Sequence, residues 1–234
     1  MKKYLWVLVF LVNCQLSSVN CLYATPSTQI WNPSTDIQSL KTWHLGIDNY
    51  FSVASNDTKP YASPTYLGLT YGLFKNVEVG FDLAEPLADP LFLNVKYGIP
   101  ESKEMPVAVA VGGFNFGGKR DSTDMNIIYG LAAKGFGSSG RVTLGFYSGN
   151  DKVLVDDKGE KAASGAIVTW DKALSEKVWA SIDYASGMNA YGCLSFGASY
   201  LFAPNTSVIF GYVMYNNDKL NVNNQFTTQL DINF

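Results

Sequence analysis

Apolar and polar positions alternate along most of this chain with a period of two. Trp43, Leu45, Ile47 and Phe51 share one parity, and His44, Gly46, Asp48 and Tyr50 share the other. The next segment sets Leu67, Leu69, Tyr71 and Leu73 against Tyr66, Gly68, Thr70 and Gly72. A third sets Val77, Val79, Phe81 and Leu83 against Glu78, Gly80 and Asp82. Successive side chains of a strand point to opposite faces, so each segment predicts a strand with one apolar and one polar face. About twelve such segments can be placed, near 41–51, 63–73, 77–84, 91–99, 106–116, 125–136, 141–149, 164–171, 177–186, 191–202, 207–215 and 223–234. Beyond the leader, no apolar run approaches the ~20 residues that a membrane-crossing helix needs.

The connections alternate in length. Phe74-Lys75-Asn76, Pro100 to Met105, Gly137 to Gly140, Lys172 to Glu176 and Ala203 to Thr206 are mostly tight. Ser52 to Tyr61, Gly117 to Asp124 and Asn150 to Ala163 are longer. Short turns at one end and long loops at the other are the rhythm of a membrane barrel, and nothing requires it in a soluble sandwich. Trp43, Tyr71, Phe81, Tyr97, Phe136, Trp170, Tyr184, Phe202 and Tyr212 fall near strand ends, where an interfacial girdle places aromatics. In such a barrel the apolar parity faces lipid and the Gly, Thr, Asn and charged parity faces the lumen.

The two ends of the sequence point the same way. Lys2 and Lys3 precede an apolar run from Tyr4 to Val12, and Leu22-Tyr23-Ala24 offers a cleavage site. This predicts a secretory signal peptide over residues 1–24. Cys14 and Cys21 lie where a lipoprotein would be modified, but each follows an Asn (Asn13, Asn20) where a small residue belongs. Cleavage removes two lysines and no acid, leaving 15 basic against 20 acidic groups. It also leaves Cys193 without a disulfide partner in the chain. At the other end, Phe226, Leu230, Ile232 and Phe234 alternate with Gln225, Thr227, Gln229, Asp231 and Asn233. This segment resembles the closing strand of Gram-negative outer-membrane β-barrels. That resemblance implies that Phe226, Leu230, Ile232 and Phe234 form the signal read by the barrel-insertion machinery. The fold expected is therefore all-β: a transmembrane antiparallel up-and-down barrel over residues 41–234. Residues 25–40, with Pro26, Pro33 and several Ser and Thr, are expected to hang in the periplasm or fold into the barrel.

Candidate chemistry is sparse. His44 is the single histidine, and it lies on the lumen parity without an evident serine beside it, so a hydrogen-bonded structural role is favoured over catalysis. One His and one mature Cys cannot build the usual transition-metal shells, and no cofactor is implied. Gly113-Phe114-Asn115-Phe116-Gly117-Gly118-Lys119-Arg120 nearly spells a phosphate-binding loop, but Arg120 stands where the magnesium-binding hydroxyl belongs and no helix pattern follows. Asp151, Asp156, Asp157 and Glu160 crowd the longest loop among Lys152, Lys158 and Lys161. These acids suit a solvated turn, or cation bridges to lipopolysaccharide.

By parity the lumen is expected to receive His44, Asp48, Glu78, Asp82, Lys96, Lys134, Arg141, Asp183 and Asp231. Cys193 shares its parity with Ser195, Gly197 and Ser199, near the external end of its strand. If the third and fourth strands pair about Leu87, Glu78 faces Lys96. These charges either line an aqueous path or hold the barrel interior together. The functions that follow are a narrow passive pore for small polar solutes, a non-conducting barrel acting through its external loops or, weakest, a lipid-modifying barrel enzyme. Outer-membrane lipid and lipopolysaccharide are the expected surroundings. Nucleic acid is not an expected partner.

Overall fold

The structure is a computed structural model that describes residues 27–52 and 62–234. The expected signal peptide and most of the first long loop lie outside the described residues. Twelve antiparallel strands form one closed barrel in which each pairs with its sequence neighbours and the first pairs with the last. They are β1 (Trp43–Phe51), β2 (Thr65–Phe74), β3 (Val77–Glu85), β4 (Leu91–Ile99), β5 (Ala108–Gly117), β6 (Ile127–Gly135), β7 (Arg141–Ser148), β8 (Ser164–Ala173), β9 (Val178–Ala185), β10 (Cys193–Ala203), β11 (Thr206–Tyr215) and β12 (Gln225–Asn233). Among the described residues no helix is long and apolar enough to cross a membrane.

Closure satisfies the backbone. An open sheet would leave a row of unpaired N–H and C=O groups in hydrocarbon, at several kcal/mol each, so only helices and closed barrels span lipid. Here the seam is β1–β12, in register from His44↔Asn233 to Phe51↔Phe226. It is extended by one residue: Trp43 N–H donates to Phe234 O at 2.7 Å and Phe234 N–H donates to Trp43 O at 3.0 Å.

The outer surface carries the apolar parity. Leu91, Leu93, Val95 and Tyr97 of β4, Leu144 and Phe146 of β7, and Phe226 of β12 are all exposed on the outside. Leu230 and Ile232 share that face with Phe226 and Phe234. Trp43 and Tyr71 stack at 4.4 Å between ring centroids, on the same rim as Phe74, Tyr97, Phe136 and Phe202.

The two barrel ends differ. One carries residues 75–76, 100–107, 136–140, 174–177 and 204–205; the other carries 86–90, 118–126, 149–163, 186–192 and 216–224. The tightest turns place asparagine at left-handed φ, Asn76 at 72° and Asn205 at 58°. Asparagine visits that region more cheaply than most residues. Each turn follows a register shift, between Gly72 and Phe74 and between Leu201 and Ala203, as hairpins with a bulge do. The long loops fold onto one another. Asp157 accepts from Lys219 Nζ at 3.0 Å and from Asn217 Nδ2 at 3.3 Å, and these bonds hold its carboxyl below the usual range. Asp151 pairs with Lys161. Asp156 accepts from the backbone N–H of Lys158 and Glu160. Asp151, Asp156 and Asp157 are thus spent on this loop's own turns and on the loop 216–224.

The seam yields a prediction. Deleting Phe234 removes both bonds to Trp43 and leaves that end of β1 paired only with β2. Barrel recovered in the membrane fraction is expected to fall, with unassembled chain accumulating, as read by fractionation and immunoblotting. Unchanged membrane levels would show that the seam does not need its last residue pair.

Candidate functional site

The lumen is occupied by the chain itself. Residues 27–40, ahead of β1, run inside the barrel. Pro33 and the polar run around it suit a wall of polar side chains better than lipid. Residues 27–34 form a small hairpin: Gln29 N–H donates to Asn32 O at 2.7 Å and Ser34 N–H to Ser27 O at 3.0 Å, with Thr28 bridged to Pro33. Trp31 sits at its tip, 5.5 Å from Tyr50, 5.8 Å from Tyr215 and 6.1 Å from Tyr191 between ring centroids. Its Nε1–H donates to Tyr191 O at 3.0 Å.

One carboxylate anchors the hairpin. Asp183 of β9 is 0% exposed. It accepts from Ile30 N–H at 2.8 Å, Trp31 N–H at 3.2 Å, Asn32 Nδ2 at 2.9 Å and Ser195 Oγ at 2.5 Å. A buried carboxylate is tolerated when its oxygens are satisfied in this way. Around it, Gln29 donates to Asp171 at 3.2 Å and accepts from Ser181 Oγ at 3.1 Å. Gln229 donates to Ile30 O at 2.8 Å, and Tyr191 OH donates to Asn32 Oδ1 at 2.7 Å. Ile30 packs with Trp179 and Ile209, over Gly197 and Gly211, where a Cβ would come within 3.0 Å of it.

At the end nearer the short turns, Arg141 donates to Asp36 at 2.8 Å and to Asp171 at 2.9 Å. Gln38 N–H donates to Glu78 at 2.6 Å. Lys96 Nζ meets Glu78 at 3.1 Å and Ser27 O at 3.0 Å. Glu78 and Lys96 are opposite each other in the β3–β4 register. The segment leaves the lumen beside Gly72, whose absent side chain makes room: a Cβ there would lie 2.0 Å from Ser39 O.

The charged residues assigned to the lumen by parity therefore divide. Asp183, Arg141, Glu78 and Lys96 hold the plug. His44, Asp48, Asp82 and Asp231 face the space beside it. Lys134 is a correction. On β6 the inward residues are Ile127, Tyr129, Leu131 and Ala133, so Lys134 lies on the outer face, near the short-turn rim, bonded to Glu101 at 2.5 Å and to Pro106 O at 2.7 Å. Alternation misleads there because both faces of β6 are apolar. Its inward face packs against Trp31, Phe114, Tyr147, Tyr191 and Leu154 of the longest loop. Cys193 does face inward, but it is 0% exposed, packed with Tyr50 and Val213 against Trp31. Sequence reasoning missed Gln29, Trp31 and Asn32 as lumen residues, since an unpaired polar segment has no period to read. It also passed over the inward tyrosines, although Tyr50 and Tyr66 share the lumen parity; Tyr129 falls on the parity opposite Lys134.

Beside the plug a cavity of about 380 Å3 remains. Its lining runs from Ser63, Pro64 and Asn221 at the long-loop end to Glu78 and Lys96 at the other. Gly46, Gly68, Gly80 and Gly113 line it, and at Gly68 and Gly80 the side chains of Asp82 and Thr70 lean over the glycine. The fold and lumen together define a transmembrane antiparallel β-barrel of twelve strands, with its own N-terminal segment inside. No protein-family model matches the sequence, and no curated protein does. Among solved structures it is similar to the KdgM porin, at 9% identity and a TM-score of 0.51, over 82% of this chain and 98% of that one. The KdgM porin in complex with disordered oligogalacturonate gives 8% and 0.50 over the same shares. A triple mutant of Rhodopseudomonas blastica porin gives 16% and 0.41, over 74% of this chain. The alignment spans 56% of that longer porin.

Asp183 makes the plug testable. Asp183→Ala would orphan three plug donors in a buried site, each costing about 1–3 kcal/mol when left without an acceptor. The plug is expected to loosen and expose Cys193. A membrane-impermeant maleimide should label the variant much faster than the parent barrel, as read by mass spectrometry. Equal rates would show that Asp183 does not hold the plug over the thiol.

Proposed function

We propose that this chain is an outer-membrane barrel of a Gram-negative envelope and a narrow passive route for small polar solutes, running along the half of the lumen that the plug leaves. The observation that carries this reading is the cavity itself. It is walled by glycine and polar residues of β1 to β4 and extends from the external loops toward the Glu78–Lys96 pair. The likeness to KdgM porin supports the architecture. Twelve strands lie between the roughly 8 that side chains fill and the 16–18 that leave a channel, and a plug turns the wider interior into a narrow one.

The second reading is a non-conducting barrel acting through its loops. The plug's bonds to Asp183 and Arg141 favour it. An enzymatic role has less support: His44 is buried, 3.2 Å from Asn233 Oδ1 and 3.4 Å from Asp231 Oδ1, and faces away from lipid. In the orientation proposed, the short turns are periplasmic and the loop 149–163 is external.

Planar-bilayer recording separates the two main readings. The refolded parent is expected to show a small, steady conductance, and a variant lacking residues 27–38 a several-fold larger one. If neither conducts, the pore reading falls. For orientation, an epitope inserted beside Lys158 is expected to be stained on intact cells. Staining only after permeabilisation would invert the barrel.

A further inference from the structure

The cavity's charge is one-sided. Asp231 of β12, Gly46 of β1, Gly68 of β2 and Asp82 of β3 form one row across four strands: Gly46 pairs with Asp231 and with Gly68, and Gly68 pairs with Asp82. Asp48 stands one inward position along β1. Two carboxylates thus flank two glycines, three strand spacings of ~4.8 Å apart, with a third carboxylate above the gap. Asp48 lies within electrostatic reach of both others.

Little answers this charge among the described residues. Lys96 is committed to Glu78 and the plug. His44 Nε2 is 3.4 Å from Asp231. Asp231 is only 1% exposed, and the side chains that meet it, His44 and Ser207, bring no lysine or arginine charge. Asn94 donates to Asp82 at 2.7 Å, while its own Oδ1 is buried without a donor. Unused acceptors on a buried wall are costly unless something donates to them.

The remaining wall is aromatic. Trp31, Tyr50, Tyr66, Phe114, Tyr129 and Tyr191 all line the cavity. Carboxylates combined with ring faces suit an organic ammonium, which gains from both charge and ring quadrupole. No three acidic, His or Cys side chains among the described residues converge closely enough to hold a metal ion, so the carboxylates are spaced for an extended cation rather than a bare one.

We propose that the cavity is a binding site for small organic cations, an aliphatic diammonium being the best fit, with Asp48, Asp82 and Asp231 as its charged contacts and the tyrosine wall as its apolar one. This deepens the pore reading by naming its cargo class. It also separates this barrel from KdgM porin, whose co-crystallised oligogalacturonate is a polyanion that these carboxylates would repel.

The test is calorimetric titration of the refolded barrel in detergent with 1,4-diaminobutane, and with 1,4-butanediol as a neutral control of similar length. The diamine is expected to bind and the diol not. Asp48→Asn and Asp82→Asn, both at the cavity surface, should each weaken the diamine about tenfold, the equivalent of about 1.4 kcal/mol. Circular dichroism confirms that each variant is folded. Equal binding of diol and diamine, absence of diamine binding in a folded barrel, or unchanged affinity in both variants would overturn the proposal. The same preparations go into bilayers under a salt gradient. Diamine binding by a barrel that never conducts keeps the cation site and discards the pore. Conductance without cation preference, in a barrel that ignores the diamine, discards the site and keeps the pore.

Discussion

Every feature of this molecule follows from the rule that backbone polar groups cannot stay unpaired in hydrocarbon. The sheet must close, and with twelve strands it closes around a space too wide for its own side chains to fill. That space is polar, because alternation sends the apolar residues outward. It can be filled only by something that hydrogen-bonds as well as water does. Residues 27–40, rich in Ser, Thr, Asn and Gln, meet that requirement. An apolar segment of the same length would take the amides of Asn32 and Gln29 away from Asp183, Asp171 and Ser181.

The lumen is consequently two environments. On the β7 to β11 side, wall and plug are joined through Asp183, Asp171 and Ser181, and glycines such as Gly197 let the Ile30 side chain lie close. On the β1 to β3 side, Gly46, Gly68 and Gly80 meet wall atoms and none from the plug, and the cavity lies against them. Glycine serves both walls for one reason: a missing side chain is space, taken by Ile30 of the plug over Gly197 and by wall side chains over Gly68 and Gly80. The carboxylates divide the same way. Asp183 and Asp171 accept from the plug, and Asp82 and Asp231 meet side chains of the wall.

The barrel was legible in the sequence because its code is a period of two, repeated twelve times, with turn residues between. Strand positions, facing residues and the Glu78–Lys96 register all follow from that period. It fails at β6, where Ile127 to Ala133 is apolar on both faces and Lys134 marks the rim instead of the lumen. The plug was not legible, because its contacts join positions more than a hundred residues apart and leave no local pattern. Trp31 reads as an isolated aromatic in a polar stretch until Tyr50, Tyr191 and Tyr215 are brought around it. Cys193 was placed on the correct face, but its concealment depends on Trp31, which periodicity cannot supply.

The plug belongs to the same chain as the barrel and joins β1 through Lys41 and Thr42. A soluble blocker that left the lumen would be lost to dilution. A segment tethered by two residues stays at an effective concentration on the order of millimolar or above. Any displacement is therefore a unimolecular event, and its reversal is independent of how much protein the membrane holds. Tethering makes the segment's place in the lumen a property of the single chain, the same in a sparse membrane as in a crowded one.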